Sequence, residues 1–145
     1  MNVTEQDVIA AAENLIGAFG AGNAERYFAC FALDATFVFY TEPQRIASRD
    51  DYQQLWQKWI ESGWQVLGCV SSNSRIHLAG DAGIFVHDVQ TTIEVNGVRE
   101  VLQERETIVF ARNEHGELLA VHEHLSPAPH EDQNVPVFPL AEVRP

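Results

Sequence analysis

The 145-residue chain sets 21 acidic side chains against 9 basic ones, a formal net charge of −12, and its basic residues are scattered. That balance excludes a phosphate backbone or an anionic membrane as the expected partner, because no basic stripe is present to displace counterions. The length is that of one ordinary domain; Cys30 and Cys69 lack metal-type spacing and are expected as reduced thiols; no run reaches the roughly 20 apolar residues of a bilayer span, and the polar start MNVTEQD points to the cytoplasm.

Thr4 with Asp7 reads as a loose capping box, after which Val8, Ala12, Leu15, Ile16 and Phe19 recur at helical spacing up to the Gly20–Gly22 break. Asn23 then caps a second helix in AERYFACFA, ended by Asp34, and ATFVFYT at 35–41, which includes Tyr40, turns to β-branched and aromatic residues and predicts a strand. Ser48 with Asp51 opens a third helix, closed by Gly63, with Tyr52, Leu55, Trp56, Trp59 and Ile60 on one face. Aromatic stripes at this spacing are most often core; Trp56 is kept as a pocket candidate. From Trp64 the chain reads as strands: WQVLGCVSSN, RIHLAG, GIFVHDVQTTIEV, VREVLQERETIVFA and ELLAVHEHLS. The expected fold is α+β, one domain over 1–127 with helices on one face of a mostly antiparallel meander, followed by a Pro-rich tail at 128–145.

Asn96-Gly97 is the strongest turn signal, since a type I′ hairpin needs positive φ at both central residues. With Val95 opposite Val98, one face carries Glu94 with Arg99, Asp88 with Arg105 and Val86 with Thr107. The other carries Phe85 with Ile108, His87 with Glu106 and Val89 with Glu104. If NEHG at 113–116 forms the next loop, Arg112 meets Glu117, Thr107 meets His122 and Arg105 meets His124. The resulting row is Asp88, Arg105 and His124, with Gln90, Gln103 and Ser126 beside it; a bulge would dissolve it. His122 and His124 share a face, but a third ligand is missing and Arg105 is the expected neighbour, so neither a metal nor a cofactor is expected. In the chemical reading His124 exchanges a proton, Arg105 steadies a developing anion and Asp88 orients Arg105, with His122, Trp56, Tyr40, Gln90 and Gln103 as ligand contacts. The competing reading is an exposed, salt-bridged sheet face. Were Arg105 to lie on the convex face, the candidates would become His87, Glu106 and Glu123.

The helices and the closing RETIVFARNEHGELLAVHEHLS resemble the nuclear transport factor 2-like superfamily, most closely its SnoaL-like branch. Arg105, Thr107 and Val109 match its penultimate strand and His124 and Ser126 its last, while Leu118 stands where members often carry Trp. The resemblance implies a cone-shaped half-barrel with an open pocket, usually a homodimer through the outer sheet face. It implies no single reaction, since the superfamily spans ketosteroid isomerase, scytalone dehydratase, epoxide hydrolases, cyclases and kinase association domains. The expected function is a small-molecule pocket protein, a cofactor-free enzyme of the isomerase, hydratase or cyclase kind acting on a small polar or cyclic carbonyl compound. The alternative is a non-catalytic binding or oligomerisation module.

Overall fold

The computed structural model describes residues 2–129. Along the chain run α1 (Glu5–Gly20), α2 (Ala24–Phe28), β1 (Phe31–Phe39), α3 (Arg49–Glu61), β2 (Trp64–Ala79), β3 (Ala82–Val95), β4 (Val98–Arg112) and β5 (Leu118–Pro127). The fold is α+β, with the helices packed on a five-stranded sheet ordered β1-β5-β4-β3-β2. Pairing is antiparallel except between β1 and β5, which run parallel. The helix α3 lies between β1 and β2, so the helices do not all precede the sheet. From residue 130 the Pro-rich tail lies outside the described residues. Among the described residues no helix is long and apolar enough to cross a membrane.

The helix starts follow their caps. Thr4 Oγ1 accepts from the Asp7 amide at 3.2 Å while Asp7 Oδ2 accepts from the Thr4 amide at 3.0 Å, and Ser48 Oγ accepts from the Asp51 amide at 3.1 Å. The second helix is shorter than its periodicity predicts. After Phe28 the chain is captured by the sheet: Cys30 accepts a hydrogen bond from the Ala120 amide at 2.8 Å, and Phe31 pairs with Ala120. Phe31, Ala35, Phe37 and Phe39 then alternate into the core, so burial of four apolar side chains overrides a local helical preference. Val8, Ala12, Leu15 and Ala18 bury one face of α1. Gly83 permits close approach there, since a Cβ on it would collide with the Val8 side chain.

Asn96 and Gly97 turn with φ of 50° and 84°, and β3 and β4 pair without interruption from Val95–Val98 to Ala82–Ala111, the expected register throughout. The next turn differs. Asn113 Oδ1 accepts from the amides of His115 and Glu117, each at 2.9 Å, which draws Glu117 into the loop so that Arg112 pairs with Leu118. A bulge between Val109 and Phe110 adds a second step in the same sense. The two steps restore the parity, so His124 stays on the expected face but meets Thr107, while Arg105 meets Ser126.

Candidate functional site

The sheet's inner face, which carries Phe85, Val89, Ile93 and Ile108 into the core, also carries His87, Glu104, Glu106 and Glu123. These polar groups line or adjoin a cavity of about 240 Å³ walled by Leu15, Phe19, Trp59, Trp64, Val89 and Leu125, with the three glutamates in its lining. Among the described residues no Lys, Arg or His lines this cavity. His87 stands behind it, 4% exposed, with Nδ1 2.6 Å from Ser71 Oγ and Nε2 2.8 Å from Glu106 Oε1. The carboxyls of Glu106 and Glu123 both line the cavity and perturb one another. Tyr27 donates to Glu123 Oε2 at 3.5 Å, its hydroxyl lies 2.9 Å from that of Tyr52, and Tyr40 donates to Glu104 Oε2 at 2.6 Å.

Burial governs the electrostatics. It pushes the Glu123 carboxyl well above the ordinary carboxylate range, and the neighbouring Glu106 charge adds to the shift. Burial raises Glu106 as well, opposed by the hydrogen bond from Glu123 and assisted by the charge of Glu104. Glu104 is raised by burial against the hydrogen bonds of Tyr40 and Thr91. His87 is lowered by burial, which outweighs the acids around it, and is therefore neutral at physiological pH. Cys69, on the cavity wall, is pushed up to about 12 by burial and then by Glu106, so its thiol is inert. The site is a pair of carboxyls, both raised by burial, next to an apolar space, a combination suited to proton transfer.

The residues expected from the sequence divide between the two faces. Asp88, Arg105 and His124 share a groove on the outer side with Arg75, Thr107 and Ser126, and His87 and Glu106 of the inner face also border it. Asp88 and Arg105 pair in register, yet Asp88 accepts from Asn73 Nδ2 at 3.3 Å, and among the described residues Arg105 forms no salt bridge. The expected Asp88–Arg105 contact is therefore replaced, because the irregularity of β2 between Ser72 and Arg75 brings Asn73 over Asp88. His122 lies on the outer face with Nδ1 2.8 Å from Thr36 Oγ1, and burial lowers its pKa. Gln103 donates to Gln90 at 2.8 Å, also outside. Trp56, 4% exposed, is packed within Phe19, Tyr27, Phe28 and Trp64 and does not line the cavity; Trp59 and Trp64 do. Tyr40 joins the inner site through Glu104. Ser71, Glu104, Tyr27 and Tyr52 were not among the expected residues. Only Glu104 carries a signal, parity: Glu104 and Glu106 alternate in step with Ile108. Among the described residues no group of His, Cys, Asp and Glu has the arrangement of a metal site.

Residues 8–130 match the family model for the SnoaL-like domain. The chain belongs to the SnoaL-like domain family. Among curated proteins none matches this SnoaL-like sequence. Solved structures share its fold: a nuclear transport factor 2-like protein from Salmonella enterica is 14% identical over 91% of this chain and 96% of its own, with a TM-score of 0.76. A ketosteroid isomerase-like protein from Erwinia carotovora atroseptica is 14% identical over 88% of this chain and 100% of its own, with a TM-score of 0.70. A protein of unknown function in nutrient uptake from Rhodospirillum rubrum is 18% identical over 84% and 98%, at 0.72. At these identities the SnoaL-like chain shares their fold, and the fold alone.

Proposed function

We propose that this SnoaL-like protein binds a small, uncharged carbonyl compound, such as a cyclic ketone or lactone, in its inner cavity and moves a proton on it. The observation that carries this reading is the Glu106–Glu123 pair, buried in the lining of an otherwise mostly apolar space without a lysine or arginine. A carboxylic acid held neutral donates a hydrogen bond to a carbonyl oxygen, while its ionised neighbour accepts a proton from the adjacent carbon. Carboxylate or phosphate ligands are repelled by the same groups. The ketosteroid isomerase-like relative agrees with an isomerase-type activity, and a cone-shaped half-barrel narrowing on the glutamates would give the cavity its floor. Free Cys30 and Cys69 suit a cytoplasmic setting. A thermal-shift panel of cyclic ketones, lactones and their carboxylate analogues tests the reading. Neutral members should raise the melting temperature, by the equivalent of roughly 2.7 kcal/mol at 100 times the dissociation constant. Stabilisation by the carboxylates alone would count against it.

The second reading, a binding or assembly module, is favoured by the outer face. Asp88, Arg105 and His124 lie there in a shallow groove, and Val70 and Val101 are 61% and 54% exposed on the same face. We propose that a second copy covers it, making a homodimer in which Arg105 and His124 contribute to the interface rather than to chemistry.

A further inference from the structure

Three carboxyls crowd the inner face, and each meets a different donor. Glu104 receives the Tyr40 hydroxyl at 2.6 Å, Glu106 faces His87 Nε2 at 2.8 Å, and Glu123 has the Tyr27 hydroxyl only at 3.5 Å. Negative charge settles where donors are shortest and most numerous, because each hydrogen bond to the ionised form favours that form. His87 is the donor that distinguishes the two members of the pair. Its ring is fully enclosed, with one nitrogen on Ser71 and the other on Glu106, so rotation out of this arrangement would strand both. With the Ser71 hydroxyl donating to Nδ1, the neutral ring carries its proton on Nε2 and donates it to Glu106.

We propose that His87, held by Ser71, is the positioning residue that divides the labour within the glutamate pair, making Glu106 the base and Glu123 the acid. This rests on the proton-transfer reading of the cavity and adds to it the assignment of roles. In the forward step Glu106 takes a proton from the carbon beside the ligand carbonyl as the C–H electron pair moves into the new C=C bond. The carbonyl oxygen receives the Glu123 proton, leaving an enol, a neutral Glu106 and an ionised Glu123. Where the ligand carries a C=C bond one carbon further along, the enol is a dienol: its far carbon takes the Glu106 proton as the double bond shifts into conjugation and the C=O bond re-forms, the enol proton goes back to Glu123, and the pair is restored with a conjugated isomer released. His87 remains neutral throughout and keeps its Nε2 proton. The titratable groups facing the pair are Glu104 from β4, His87 from β3, Cys69 from β2, Tyr27 from α2 and Tyr52 from α3. None of them is a lysine or arginine.

The assignment is tested on the ligand-free protein by NMR, with ¹³C-labelled glutamate side chains to follow ionisation and ¹⁵N-labelled histidine to locate the ring proton. In the wild type Glu106 should ionise before Glu123, and His87 should be neutral with its proton on Nε2. His87→Leu should narrow the ratio of the two acid constants by threefold or more, whereas His87→Gln, which keeps an N–H donor in reach, should hold it within threefold of wild type. A proton on Nδ1, Glu123 ionising first, or a ratio in His87→Leu within threefold of wild type each overturns the proposal. The two wild-type measurements decide it even if His87→Leu fails to fold. No ligand is involved, so an empty thermal-shift screen would remove the proposed function and with it the roles of base and acid, leaving the ionisation order set by His87, whereas a wrong ionisation order would remove the assignment and leave ligand binding untouched.

Discussion

Glu123 is an acid in the hydrophobic core, and that makes stability depend on pH. Its carboxyl is raised in the folded protein above the unfolded value, chiefly by burial, so the folded state binds more protons as pH climbs out of the carboxylate range. Stability therefore falls with rising pH until the folded carboxyl ionises. His87 works in the opposite sense, being lowered on folding, but its contribution levels off above about pH 7, where it is neutral in both states. Above about pH 7, where His87 no longer distinguishes the two states, thermal melts report the raised carboxyls: while folded Glu123 keeps its proton the wild type should lose up to about 1.4 kcal/mol per pH unit for one linked proton, and Glu123→Gln should flatten the slope. Equal slopes would mean that Glu123 is not the linked group. Much of this was legible in the sequence, since the hairpin at Asn96-Gly97 placed His87, Glu104 and Glu106 on the face of Phe85 and Ile108. Glu123 entered with His87 and Glu106 as the alternative row, to be preferred only if Arg105 lay on the convex face, because its face depended on the turn at Asn113. The mutual donors Ser71 and Tyr27 were not legible, as each reaches the site from an element with no local signal tying it to the others.

At the scale of the element, α3 shows why an aromatic stripe is ambiguous when read alone. Helical spacing places Tyr52, Trp56 and Trp59 on neighbouring positions of one surface, but only the contacts with α1, α2 and β2 decide which is core and which is wall. Trp56 packs edge-on against Phe28 and Trp64, while Trp59 borders the cavity. Truncation should separate the two. Trp56→Ala should cost about 3–5 kcal/mol in chemical denaturation, the usual range for a large buried aromatic. Trp59→Ala should cost less and should instead enlarge the cavity, shifting the thermal-shift panel toward bulkier ketones. Comparable losses from both would show that Trp59 is core. The β4–β5 pairing carries a similar lesson. Periodicity specified the faces, and they held through two compensating single steps, whereas the partners along the strand depended on one Asn side chain and one bulge.

For the whole molecule, the proposed homodimer is tested by its mass in solution. The outer face leaves Val70 and Val101 largely uncovered, and with a second copy over it sedimentation at micromolar concentration should give twice 16.2 kDa. Val70→Asp with Val101→Glu should return it to monomer without changing the inner cavity; a monomeric wild type would remove the dimer. The parallel contact of β1 with β5 has a further effect on how the chain reaches this state. Strands β2 to β5 pair with their neighbours in chain order, each addable by a hairpin, but β1 finds its partner only when Thr36 meets His122 and Phe37 meets Glu123. That contact spans most of the domain, and long-range closure is the slow class of folding event. Until it occurs, β1 lacks its sheet neighbour among the described residues, and Glu123, already brought beside Glu106 by the β4–β5 hairpin, stands at an open edge. Docking of β1 on β5 then closes that edge, so the acidic centre is sheltered only as the chain becomes compact.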